Sequence, residues 1–390
     1  MIARIFPLLI IVILLPFLYF DRRMCKERKC RPLRRLLCWL PCAAILIYTV
    51  MLAQLRSFAP IDTWQLFLYL LLLGVIIVPA TVFALSSLIG SFCKRMGWAR
   101  RNHGRRVGVL LAVLCVVLVL YGSFLGNKGV TVRRVDYSSN QLPPSFDGYR
   151  IVLFSDAHVG SYIWGSIGLL QTVVDTINNQ HAQMIVFTGD LQNMHPDEMV
   201  SAMPILSKLS APDGVFSVLG NHDYGDYLRA DSVTTAHNHQ LLINRQRQMG
   251  WQLLNDENCV VSRQGDSIFV AGMQNDGKVS IPSKGDPEKA MSGVPKQAFA
   301  IMLEHDPSSW RRTVLPRTTA QLTLSGHTHG GQINVAGLSP SALTYNEYDG
   351  LYMDESGRAL FVTSGISGFV PFRIGVKPEV VVITLHTKKK

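Results

Sequence analysis

The sequence predicts an α/β domain preceded by four transmembrane helices. Three observations predict it. Long apolar runs fill the N-terminal third; short β-branched runs alternate with helical spacing in the rest; and Asp, His and Asn residues cluster just after those short runs. At 390 residues there is room for one catalytic domain and a second part.

The apolar runs cover residues 2–20, 37–55, 64–88 and 107–125. Each is close to the ~20 residues a helix needs to cross a bilayer. Arg4 ahead of an apolar stretch resembles a signal peptide, but no small-x-small cleavage site precedes Asp21 and three more runs follow. Charge follows the same division. Residues 1–130 hold 17 Lys and Arg against 3 Asp and Glu, whereas 131–390 hold 21 against 24. The net charge of +11 therefore belongs to the membrane part. The remainder has no basic stripe for a phosphate backbone, which disfavours nucleic acid as a partner.

Loop charges set an orientation. Arg22, Arg23, Lys26, Arg28, Lys29, Arg31, Arg34 and Arg35 join the first two runs. Lys94, Arg95, Arg100, Arg101, Arg105 and Arg106 join the last two, and the middle loop, 56–63, has Arg56 alone. The positive-inside rule puts the basic loops in the cytoplasm. An even number of spans then leaves the chain after Gly126 extracytoplasmic, in an integral protein of the inner or plasma membrane. The expected division is a membrane domain at 1–126, a linker at 127–148 with a tether around 127–136, and a catalytic domain at 149–387. Six of the seven cysteines, Cys25 and Cys30 among them, lie in or beside the spans, so no disulfide can close within the soluble part.

Strands are expected at 150–155, 184–188, 215–219, 267–272, 299–303, 321–325, 359–363 and 380–385, with helical spacing over 165–179 and 198–210. Two packed sheets with helices outside follow from this pattern. Asp156-Ala157-His158 follows the first strand, Gly189-Asp190 the second, and Gly220-Asn221-His222-Asp223 the third. Glu304-His305-Asp306 and Gly326-His327-Thr328-His329 follow two later strands. Ligand sites of α/β sheets gather at carboxyl ends of strands, so the five motifs can converge. Carboxylates, imidazoles and an amide oxygen without thiolates suit Mn, Fe, Zn or Ni. A carboxylate such as Asp190 can bridge two cations.

These motifs, in this order, resemble the calcineurin-like metallophosphoesterase superfamily over about 149–385; the apolar runs, Gly365-Ile366-Ser367-Gly368, Pro371, Arg373 and Pro378-Glu379 resemble its membrane-anchored bacterial branch. The resemblance implies a four-layer α/β/β/α metallophosphoesterase sandwich and two divalent metal ions. Asp156, His158 and His329 would hold the first ion, Asn221, His305 and His327 the second, and Asp190 both. His222 would be the catalytic acid, protonating the leaving oxygen, while a hydroxide between the metals attacks phosphorus. The second motif continues Leu191-Gln192-Asn193-Met194 rather than the Gly-Asp-x-x-Asp-Arg-Gly of the protein Ser/Thr phosphatases. Many relatives have Asp at the position of Asn193, so a role for it behind the ligands is in question.

The expected function is a membrane-anchored phosphoesterase acting on phosphodiesters or phosphomonoesters, lipid-linked or envelope substrates included. The alternatives are a UDP-2,3-diacylglucosamine-type pyrophosphohydrolase of lipid A synthesis and a non-catalytic membrane phosphate sensor. His103, His181, His195, His237, His239 and His386 are read as surface or core residues, with His237-x-His239 in a loop. Arg373 is open between a phosphate contact and a structural salt bridge. Trp164, Tyr224 and Phe369 are read as packing, with pocket or membrane-facing roles open.

Overall fold

The apolar runs become helices in a computed structural model that describes residues 2–26, 31–54, 63–162, 166–228, 230–277 and 283–388. Arg28, Lys29, Cys30, the loop 56–62 and Trp164 lie outside the described residues. The helices are Ile2–Phe20, Pro32–Gln54, Trp64–Arg95 and Gly104–Phe124, each long and apolar enough to cross a membrane. Many of their large side chains stay exposed, such as Leu8 at 61 % and Leu110 at 72 %, which lipid rather than water would cover. The last two helices meet backbone to backbone. A Cβ on Gly90 would sit 2.6 Å from the Gly104 nitrogen, the close approach that small residues permit between membrane helices. Arg35 pairs with Asp21 where the first helix ends, Nη2 to Oδ2 at 2.6 Å.

The chain divides into two compact units, Met1–Leu125 and Gly126–Lys390. In the second unit the strands are β1 (Thr131–Ser139), β2 (Tyr149–Phe154), β3 (Met184–Phe187), β4 (Val215–Ser217), β5 (Gln252–Leu253), β6 (Glu257–Arg263), β7 (Asp266–Gly272), β8 (Ala300–Leu303), β9 (Leu322–Ser325), β10 (Gly350–Met353), β11 (Ala359–Val362) and β12 (Glu379–Thr387). They form two six-stranded sheets, ordered β1-β12-β2-β3-β4-β5 and β10-β11-β9-β8-β7-β6.

Period-two alternation builds the core. Ile151, Leu153, Met184, Val186, Val381 and Ile383 point between the sheets, to meet Ile301, Leu303, Leu322, Leu324 and Phe361. The alternate residues Val152, Phe154, Ile185 and Phe187 point outward, onto helices Ile167–Asn178 and Ser232–Gln248 through Leu170, Val174 and Leu242. On the far side, Met302, Leu360 and Val362 pack under Trp310 and Val314. The result is helix, sheet, sheet, helix, the expected sandwich.

Two expectations fail here. Most of the stretch read as a tether is β1, nine residues paired in parallel with β12 from Thr131–Glu379 to Ser139–Thr387. It is an edge strand whose Arg133 and Arg134 break the apolar alternation, so the pattern stayed hidden. His237 and His239 sit on helix Ser232–Gln248, capped by Asp231, whose carboxylate accepts the Thr234 N–H. That helix is polar nearly all round, which gives periodicity nothing to detect. Residues two apart on a helix point in different directions, so the pair cannot clasp one ion.

β1 carries structural weight, because the buried Tyr137 hydroxyl donates to the carbonyl oxygens of Gln321, just before β9, and Gly357, in the β10–β11 turn. A fragment starting at residue 140 should therefore unfold roughly 10 °C or more below one starting at 126. Thermal unfolding followed by circular dichroism checks this; equal midpoints would show β1 to be dispensable.

Candidate metal centre

The first three motifs follow β2, β3 and β4, which run parallel; the last two follow β8 and β9, parallel in the other sheet. All five therefore open on one rim. The turns are sharp: Asp156, His158, Asp190, His327 and His329 adopt positive φ, from 41° to 72°. They make up half of the non-glycine residues in that conformation among the described residues. Such backbone costs of order 1–3 kcal/mol per residue and concentrates where function demands a fixed direction. Gly220 is required for space, since a Cβ there would lie 2.2 Å from Asp190 Oδ1.

Backbone bonds tie the turns together. The Asp156 and His158 N–H groups donate to the Gly189 and Asp190 carbonyls. The His327 N–H donates to the Asp156 carboxylate, linking the two sheets. Ligand-type atoms then fall into three groups, each within 4.8 Å: Asp156, His158 and His329; His158, Asp190 and His222; Asp190, His305 and His327. His305 Nε2 and His158 Nε2 approach Asp190 Oδ2 at 3.2 and 3.5 Å. Asn221 lies beside Asp190 on the loop whose His222 N–H donates to Asp190 Oδ1.

The outward ring nitrogens are tethered. His158 Nδ1 lies 3.0 Å from Asn193 Oδ1, His305 Nδ1 2.7 Å from the Thr188 carbonyl, and His222 Nδ1 2.6 Å from the Asn193 carbonyl. These acceptors require Nδ1–H, which leaves each Nε2 toward the centre. Asn193, although an amide rather than a carboxylate, thus orients two imidazoles.

His158 Nε2, Asn221 Oδ1 and His329 Nδ1 are buried with no hydrogen-bond partner. Orphaned buried donor-set atoms around two carboxylates fit a divalent cation. Electrostatics agrees. Burial pushes Asp156 up to about 6, against the pull of His305, with Asp190 adding repulsion. Burial drives His158 down to about 3. Burial opposes protonation of His305 too, but Asp190 and Asp156 outweigh it and raise the ring to about 10. The two carboxylates thus favour positive charge at this point, as a divalent cation would supply.

Residues not singled out by sequence brace the loops. The Asp223 carboxylate accepts four N–H bonds, from Gly220, Asp190, Leu191 and Gln192. Glu198 accepts those of Asn193, Met194 and His195. Tyr227 and Tyr345 touch Asn221 and His327. Only Asp223, inside a recognised motif, left any sequence signal.

Arg373 resolves against both earlier options. It is fully buried and donates to the carbonyls of Ser364, Gly365, Ser367 and Lys377. Those bonds shape the segment whose Ile366 and Ser367 N–H groups hold the Ser155 and Asp156 carbonyls. Phe369 stacks on His222 with ring centroids 5.7 Å apart, whereas Tyr224 is buried and stacks on His239. Asp223→Ala strips four loop amides of their acceptor and should cost about 3 kcal/mol, since bonds to a charged group are the stronger kind. Denaturant unfolding of the variant measures this.

Similarity to known proteins follows the same division. Residues 149–331 match the family described as calcineurin-like phosphoesterase, and 3–127 match the transmembrane domain of a probable calcineurin-like phosphoesterase. The uncharacterized metallophosphoesterase YkuE of Bacillus subtilis is 33% identical, over 68% of this chain and 89% of its own length. A zebrafish transmembrane protein with metallophosphoesterase domain is 27% identical over 96% of this chain and 87% of its own. Similarity to transmembrane relatives therefore extends beyond bacteria. The UDP-2,3-diacylglucosamine pyrophosphatase LpxG of Chlamydia muridarum is 24% identical, over 72% of this chain and 97% of its own.

Proposed function

The chain belongs to the calcineurin-like metallophosphoesterases, as a membrane protein with a metal-dependent phosphoester hydrolase domain, and from that premise we propose a dinuclear site with assigned roles. Asp156, His158 and His329 would hold one divalent ion, Asn221, His305 and His327 would hold a second, and Asp190 would be shared by both. The observation that carries this reading is the chaining of the three ligand groups through His158 and Asp190. Two ions, Mn, Zn, Fe or Ni by donor chemistry, would supply positive charge to the phosphoryl oxygens and to water activation.

The chain's own residues do the rest. His222 keeps its Nδ1–H on the Asn193 carbonyl and is stacked between Tyr227 and Phe369, so its Nε2 is the proton-donating edge for the leaving oxygen. The Asp156 and Asp190 carboxylates are held by the His327 and His222 N–H groups. Catalysis belongs to 149–387 together with β1, and the bilayer to 1–126. Anchoring at a membrane favours a lipid-borne or envelope phosphodiester or phosphomonoester, and loop charges favour the extracytoplasmic face of the inner or plasma membrane. The similarity to the diacylglucosamine pyrophosphatase supports a second reading, a glycolipid pyrophosphate. That reaction needs a cytoplasmic site.

With Mn2+, the purified protein should hydrolyse bis-p-nitrophenyl phosphate or p-nitrophenyl phosphate, and the ratio of rates separates diesterase from monoesterase. Asp190→Ala should lose turnover and bound metal together. His222→Ala should lower kcat by about 10²–10⁴ with metal content near wild type. Since His222 also groups with His158 and Asp190, metal loss in that variant would make it a ligand instead. A reporter fused after Lys390 should be active only outside the cytoplasm; a cytoplasmic result would favour the pyrophosphatase reading.

A further inference from the structure

Two of the ligands assigned to the second ion are left to turn unless something outside the centre holds them. Asn221 can present either end of its amide, and His327 can present either ring nitrogen. In each case a tyrosine further along the same connection makes the choice. The Asn221 Nδ2 donates to the Tyr227 hydroxyl at 2.8 Å, which turns Oδ1 inward, where it is buried without a partner. His327 Nε2 lies 2.8 Å from the Tyr345 hydroxyl, with Asp306 Oδ2 at 3.7 Å favouring a proton on that nitrogen. The other nitrogen, Nδ1, then faces inward and stands 3.2 Å from His305 Nε2. Tyr227 is exposed and Tyr345 partly so, at the rim rather than in the core.

We propose that Tyr227 and Tyr345 are positioning residues for the second metal, each fixing which atom of its partner faces the ion. This rests on the ligand assignment given under Proposed function. The two tyrosines serve one position only: His158 of the first position is oriented by Asn193, and His305 by the Thr188 carbonyl. Their loss should therefore weaken one ion and spare the other. Partners behind the ligands are worth about 10–100-fold in metal affinity.

Full-length protein in detergent, stripped of metal, would be titrated with Mn2+, free ion being followed by electron paramagnetic resonance. Wild type should bind two ions. Tyr227→Phe and Tyr345→Phe should each weaken one binding event by about tenfold or more and leave the other in place. The double variant should leave that position empty at Mn2+ concentrations that fill it in wild type. Thermal unfolding of the metal-free variants should match wild type, separating positioning from general loss of structure. Tyr227→Phe keeps the ring that stacks on His222, 4.4 Å between centroids, so a defect only in Tyr227→Leu would assign the effect to packing and overturn the hydroxyl's role. Wild-type affinity for both ions in the two Phe variants, or equal loss of both ions, would sink the inference while leaving the dinuclear reading intact. Fewer than two ions in wild type would instead remove the reading on which it rests.

Discussion

Everything in the catalytic unit depends on one arrangement: two carboxylates, Asp156 and Asp190, buried together where the two sheets open. Removing such groups from water without counter-charge is prohibitively costly. The fold answers with imidazoles and backbone N–H groups from five turns, and the two carboxylates raise His305 against the effect of burial. Strained backbone at five of the eight candidate site residues is the conformational cost of aiming those side chains at one point. The mixed sandwich makes this affordable, because Phe154, Phe187, Leu303 and Leu324 anchor the strand ends in the core on both sides.

Around that centre lies a second tier. Asn193 holds the outward nitrogen of two rings, and Thr188, Tyr227 and Tyr345 each hold one outward atom of a ring or an amide. Behind them, Asp223 and Glu198 gather the amides of the loops that carry those groups. Arg373 fastens the segment at 364–367 across the Asp156 turn. The tier places the donors before any ion or substrate arrives, and preorganised charge in a dry site is the effective kind.

The sequence carried the strands beside the site clearly, because Ile151, Leu153, Met184 and Val186 alternate with outward residues and end in chemically loaded turns. The motif residues were legible for the same reason, since the carboxyl ends of β2, β3, β4, β8 and β9 bring them to one rim. What escaped had no local signature. Arg133 and Arg134 disguised an edge strand, and a polar helix hid behind His237 and His239. Arg373 acts through carbonyls of its own neighbourhood, and Tyr227 and Tyr345 act through partners that only folding brings close. Tertiary contacts of this kind leave no spacing to read. The membrane helices were the most legible of all, because a bilayer demands a length and an apolarity that composition displays directly.

The central claim is a pair of ions sharing Asp190. Low-temperature electron paramagnetic resonance of the Mn2+-saturated full-length protein tests it most directly, since spins bridged by one carboxylate couple. The account predicts the spectrum of an exchange-coupled Mn2+ pair. A spectrum of isolated, uncoupled Mn2+ at saturation would contradict it.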